Sequence, residues 1–333
     1  MMIAPPAGSP YHRLARTAVH RWWRFPVGTL FILAAGFAAM IAGYGAYVIA
    51  AEVSGRPDGP DGTATFGPLA ELAVGFLSIA VILPFVLIAA RWIQRRPAGT
   101  LSSVTGRIRW RWLGVCLAVA TVTIILFLTA GTALTAVTGE DAGLGDPLAG
   151  WGPFLVSAAV VLAVVPLQAA AEEYVCRGWL LQGAGAWLRS PWLPILLQAA
   201  VFAALHGWGT PWGFADLMVF GVVAGWVTVR TGGLEAAVAL HVMNNLLGTL
   251  VAAAFGQLTI DETAADMPWQ GFAVDVPILI GFAAVIVWLA RRRELVTVTP
   301  IVSYPTAGYG PASGAPFAPP LSWPPAHGFR PGA

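Results

Sequence analysis

The stretch WGPFLVSAAVVLAVVPLQAAAEEYVCR, residues 151–177, carries two messages in succession. From Trp151 to Ala171 no side chain is charged. Such a run can cross the hydrocarbon layer of a bilayer, which takes about 20 apolar residues in a helix. Directly after it, on the continuing helix, come Glu172, Glu173 and Arg177. A charge at mid-membrane depth costs at least about 2.5–3.5 kcal/mol on insertion scales, so each needs a partner or a wet cavity. Glu173 and Arg177 stand at i,i+4 and share a face, where they can pair. Glu172 points about 100° away. It is left facing something else, along with Gln168 at i−4.

The remainder of the chain repeats the first message. Its 333 residues are 57% hydrophobic and only 10% charged, against about 25% charged in a soluble domain. Apolar runs at Phe25–Ala51, Phe66–Ile93, Trp112–Leu134, Trp151–Gln168 and onward, Pro191–Gly207, Trp212–Arg230, Gly233–Phe255 and Val274–Ala290 predict eight spans. The fifth and eighth are at the short limit. The expected fold class is all-α, a polytopic membrane bundle of about eight transmembrane helices. This excludes most nucleic-acid binders and secreted disulfide scaffolds. Cys116 and Cys176 both fall in apolar stretches and make neither a disulfide framework nor a four-cysteine zinc site.

All 18 basic residues are arginine, and their distribution orients the spans. Arg13, Arg16, Arg21 and Arg24 precede the first span; Arg91, Arg95, Arg96, Arg107, Arg109 and Arg111 separate the second and third. Arg189, Arg230 and Arg291 to Arg293 follow on the same side. The opposite loops hold Glu52, Asp58 and Asp61, then Glu140, Asp141 and Asp146, then Asp261, Glu262 and Asp266. The Arg side is read as cytosolic, which leaves both termini in the cytosol of a plasma-membrane protein. The expected organisation is a cytosolic segment (1–24), three accessory helices (25–134), a core of four helices (151–255), a last span (274–290) and a cytosolic tail (295–333). The tail is rich in Pro, Gly, Ser and Ala, and such a composition predicts disorder.

Two further polar clusters lie inside predicted spans: Phe202 and His206 near the end of the fifth, and His241, Asn244 and Asn245 in the seventh. His241 and Asn245 are at i,i+4 on one face. Glu172 lies 18 residues before Ser190 and His206 lies 16 after it. At about 1.5 Å per residue the two can be level. His241 is only about 12 Å from the start of its span, so its depth matches less well. Tilt or a projecting turn must absorb the difference. Two imidazoles, a carboxylate and an amide supply a base, donors and metal ligands in a protected site, as hydrolysis needs. A proton relay uses the same residue types. The alternatives at this stage are therefore an ion- or proton-coupled transporter, or a non-catalytic immunity or scaffold protein in which the motifs only hold helices together.

The three clusters resemble the motifs EExxxR, FxxxH and HxxxN of the CPBP family, the CAAX prenyl protease and bacteriocin-processing intramembrane endopeptidases, also called the Abi family. Here they read Glu172-Glu173…Arg177, Phe202…His206 and His241…Asn245, in that order. The run Phe220-Gly221…Gly225…Arg230-Thr231-Gly232-Gly233-Leu234 is similar to the family as well, and the resemblance spans about Trp151 to Leu250. It implies an enzyme that cleaves a membrane-associated protein or peptide within a cavity open to the cytosol. By position, Glu172 would activate water with help from His206, and His241 and Asn245 would donate to the oxyanion. Arg177 would hold Glu173, and Phe202 would pack.

The resemblance is compatible with a metal-dependent or a glutamate-dependent hydrolase. A zinc set would be Glu172, His206 and His241. The sequence lacks HExxH, whose two histidines would preform a zinc pair on one helix. Of the other charges, Glu71 is expected at the interface. Asp216 is expected to cap its helix, and Glu235 and Asp275 to sit at helix N-termini, where a carboxylate meets the positive end of the dipole.

Overall fold

The computed structural model describes residues 2–140, 146–258 and 264–300. Asp141, Asp261, Glu262 and the tail beyond Pro300 lie outside the described residues. Eight principal helices follow one another: α1 (Arg24–Val53), α2 (Pro68–Ile93), α3 (Trp110–Val137), α4 (Trp151–Gly185), α5 (Trp192–Leu205), α6 (Pro211–Thr231), α7 (Glu235–Ala254) and α8 (Trp269–Arg292). All but α5 are long and apolar enough to cross a membrane. The chain is a multi-pass membrane protein.

Two predicted spans differ in extent. α5 has 14 residues, about 21 Å at the helical rise, short of the predicted Pro191–Gly207 crossing. It buries Ile195, Ala199 and Phe202 and leaves Leu193, Leu196 and Leu197 exposed. α8 begins at Trp269, five residues ahead of the predicted Val274. Gln270 and Asp275 make its first turns look like loop in the sequence, yet both are buried.

Two helices change pitch. α2 breaks at Val81, where Pro84 has no N–H to bond the carbonyl of Ala80. α4 passes into a π-turn over Tyr174–Leu180 directly after the two glutamates. Single π segments of this kind recur at functional sites.

α4 packs against α2 and α7, α3 against α7 and α8, α6 against α5 and α8. Between apolar helices in lipid there is no hydrophobic drive to associate, so close van der Waals approach through small residues takes its place. Ala199, Ala203, Ala224, Ala236, Ala237 and Ala239 are buried at these seams. Phe202, Phe220, Leu240, Phe282 and Ile286 fill the space around them.

At the Arg-rich end, residues 98–106 close over the α6–α7 turn. Val104 N donates to Gly232 O at 2.9 Å and Leu234 N to Ser102 O at 2.8 Å. Gly232 ends α6 in the left-handed region, with φ 74°. A side chain on Gly233 would overlap Glu235 Oε2, Arg109 Nη2 and Ser103 Cβ, which accounts for two adjacent glycines here.

The depth mismatch noted for His241 also resolves here. α4 continues about 20 Å beyond Glu172 to Gly185, whereas α7 starts only about 9 Å before His241. The end of α4 therefore reaches further than the α6–α7 turn. Tyr11 and Leu14 pack on Leu181 at this end.

Candidate active site

The site forms where α4, α5 and α7 meet, and its members fall into two hydrogen-bonded sets. Arg177 Nη1 donates to Glu173 Oε1 at 2.8 Å, as their spacing predicted. The same oxygen accepts from His241 Nδ1 at 2.8 Å. His241 Nε2 then lies 3.6 Å from Glu172 Oε2, beyond hydrogen-bond distance but within electrostatic reach. Gln168 Nε2 donates to Glu172 Oε1 at 2.5 Å, and Asn245 Nδ2 donates to Gln168 Oε1 at 3.0 Å.

Burial separates the two glutamates. The side chain of Glu173 is fully buried, while that of Glu172 keeps 17% of its surface. Glu172 and His206 both line a cavity of about 400 Å³, whose other walls include Met40, Ile79, Ile82, Cys176 and Leu205. Glu173 is absent from that lining. The neighbouring carboxylates thus occupy different environments, because a 100° step along the helix turns one to the cavity and the other into the α4–α7 seam.

Hydrogen bonding fixes the histidine tautomers. A carbonyl oxygen only accepts, so the 2.8 Å contact of His206 Nδ1 with Phe202 O puts a proton on Nδ1. The lone pair of neutral His206 is therefore on Nε2. His241 Nδ1 likewise carries a proton toward Glu173. Its Nε2 faces a second carboxylate, so the contact with Glu172 is attractive when a proton resides between them.

Phe202 packs, as expected. Its ring stacks on Phe220 at 5.6 Å and meets His241 edge-on at 5.7 Å. The Arg177 guanidinium lies 4.5 Å from the Phe202 ring centre and 5.8 Å from that of Phe220. A buried guanidinium over aromatic faces gains cation–π attraction.

The structure thus forms two hydrogen-bonded sets, Arg177–Glu173–His241 and Glu172–Gln168–Asn245, which approach to 3.6 Å between His241 and Glu172, with His206 at the same cavity as Glu172. Among the described residues no group of three or more His, Cys, Asp or Glu side chains placed to hold a metal ion is found.

Asp216 and Asp275 sit differently from their sequence reading, and Glu235 stands where expected but with a partner the sequence did not mark. Thr210, not Asp216, caps α6: its hydroxyl accepts from Gly213 N at 3.0 Å. Asp216 is buried beside Asp275 of α8, and the Oδ1 atom of each has no hydrogen-bond partner. Asp275 lies a turn inside α8 rather than at its end. Glu235 does open α7, but it is fully buried and held by Arg109, with Nε to Oε1 at 2.8 Å and Nη2 to Oε2 at 2.6 Å. Nothing in the local sequence marks that pair, since its members are 126 residues apart. Met40, Ile79 and Ile82 were equally illegible as cavity walls; they belong to helices outside the motif-bearing region.

Residues 153–247 match the family described as type II CAAX prenyl endopeptidase Rce1-like. The matched segment runs from the first turn of α4 through Asn245 on α7 and contains all three motifs. The chain is also 24% identical over 240 residues to the uncharacterized protein YyaK of Bacillus subtilis (strain 168), covering 68% of this chain and 78% of YyaK. No solved structure is significantly similar to it.

Proposed function

We propose that this chain, with its Rce1-like protease segment set in a larger helical bundle, hydrolyses a peptide bond of a membrane-associated protein or peptide by means of a water activated by Glu172. The observation that carries the reading is the unequal fate of the two glutamates. Glu173 is neutralised by Arg177 and His241, whereas Glu172 faces the cavity beside His206.

In the proposed reaction a substrate carbonyl enters the cavity and a water lies against Glu172. Glu172 takes one proton as the water oxygen bonds to the carbonyl carbon, with His206 Nε2 accepting a hydrogen bond from that water. The carbonyl oxygen becomes an oxyanion. His241, as imidazolium, donates to it from Nε2, and the second N–H of Asn245 donates alongside. Each such donor is worth about 3–4 kcal/mol in other hydrolases. When the tetrahedral centre collapses the C–N bond breaks, and the proton on Glu172 passes to the leaving amine. Glu173, through Nδ1–H, stabilises the charged ring, and Arg177 holds Glu173. Gln168 and Asn245 set the rotamer of Glu172.

The apolar walls suit an aliphatic segment of the substrate. Arg residues gathered at one end support a cytosolic exposure of that end, with both termini inside and the plasma membrane as the location. The test is the Glu172→Gln variant: cells expressing it should lack the new protein termini that wild-type protein generates in the membrane proteome. Cleavage at wild-type rate by Glu172→Gln rejects the proposal.

One observation favours a second reading. Asp216 and Asp275 are buried on facing helices, each with an Oδ1 that has no hydrogen-bond partner, and a proton on one of them would let it donate to the other. That pair suits a proton carrier. Proton flux in proteoliposomes that is lost in Asp216→Asn and retained in Glu172→Gln would support it.

A further inference from the structure

A second cavity, of about 690 Å³, lies at the Arg-rich end between the start of α3 and the end of α8. Arg107, Arg109, Arg111 and Arg293 line it, together with Trp110 and Trp112. Arg109 is already engaged by Glu235. Arg107, Arg111 and Arg293 are exposed and form no ion pair among the described residues.

The chain has almost nothing with which to neutralise them. No Asp or Glu occurs before Glu52, between Glu71 and Glu140, or after Glu294. Glu172 and Glu173 belong to the site above, and Glu294, next to Arg293, is exposed and outside ion-pair distance of any arginine described. The general excess of arginine on one side of a membrane protein explains the charge. It does not explain the cavity.

Three unpaired, exposed guanidinium groups around one cavity call for an acceptor-rich anion. The remaining surface is apolar, formed by Ile108, Leu295 and the two indoles. It lies where the apolar run of α3 begins, which is the level of phospholipid phosphates. We propose that this cavity binds the phosphate of an anionic phospholipid, with the acyl chains lying along α3 and α8. Arginine forks suit phosphate oxygens, and the apolar wall takes the glycerol and upper chains. The assignment does not depend on the protease reading.

Phosphate as such is the shared chemistry of a lipid headgroup and of the free ion, so the test separates them. Delipidated full-length protein in detergent is titrated with phosphatidylglycerol, with phosphatidylcholine and with sodium phosphate, and followed by thermal unfolding and native mass spectrometry. Phosphatidylglycerol should raise the midpoint and remain bound, and the other two should not. The triple variant Arg107→Gln, Arg111→Gln, Arg293→Gln should lose both effects. A control triple variant at the other basic cluster, Arg13→Gln, Arg16→Gln, Arg21→Gln, should keep them. If the first triple variant does not fold, Arg107→Gln and Arg111→Gln singly should each weaken phosphatidylglycerol binding about fivefold. An equal response to sodium phosphate overturns the lipid assignment. So does retention of binding without the three arginines, or an equal loss in the control.

Discussion

His241 Nδ1 donates to Glu173 Oε1 at 2.8 Å across the α4–α7 seam, joining residues 68 positions apart. The contact makes one carboxylate oxygen common to a guanidinium and an imidazole, since Arg177 Nη1 meets it too. Charge along the series then alternates, Arg177 positive, Glu173 negative, His241 positive when protonated, Glu172 negative. Alternation is what lets ionised groups persist at low dielectric.

Glu173→Gln should destabilise the fold by about 3–5 kcal/mol, because it strands a fully buried Arg177. Glu173→Leu combined with Arg177→Met should regain much of that loss in a thermal unfolding assay yet remain inactive, since His241 has lost its acceptor. Equal activity in the double variant and wild type would exclude Glu173 from catalysis.

Glu172→Gln should separate activity from stability. Gln can still accept from Gln168 and the side chain is partly open to the cavity, so the unfolding midpoint should barely move. Cleavage should fall by about 10²–10⁴, the usual contribution of a general base. A rate assay on purified protein with a substrate found by terminus mapping provides the check.

Arg109→Gln should cost about 3–5 kcal/mol, leaving Glu235 buried and unpaired at the start of the helix that carries His241. Replacing both, as Arg109→Met with Glu235→Leu, should restore most of it. Chemical denaturation in detergent distinguishes this from the near-zero effect expected of an ordinary surface pair.

Acid should loosen the packing of the N-terminal segment on the end of α4. Burial holds the His12 imidazole below its ordinary range, and the nearby Arg13 adds to this, against the hydrogen bond to the Arg189 carbonyl. The folded value therefore lies under the unfolded one, near 6.5. The unfolded segment binds the proton more readily, so this contribution is complete above about pH 6.5 and declines as pH falls toward the folded value. Amide exchange at residues 11–16, corrected for its intrinsic pH dependence, should be faster at pH 5.5 than at 7.5, and His12→Gln should flatten the difference. An unchanged pH response in that variant removes His12 as the cause.

How far the chain alone specifies this protein follows from which interactions are local. Run lengths of apolar residues and the one-sided arginines are properties of contiguous sequence, and they determined a helical membrane bundle. The i,i+4 geometry of Glu173 with Arg177, and of Gln168 with Glu172, is fixed by helical pitch and was legible for the same reason. Rotation and depth of one helix against another are not local quantities; packing of small residues and buried polar pairs sets them. Only the tertiary structure could therefore decide that His241 turns to Glu173, that Arg109 seeks Glu235, that Asp216 meets Asp275 rather than capping α6, and that α1 and α2 wall the cavity before Glu172.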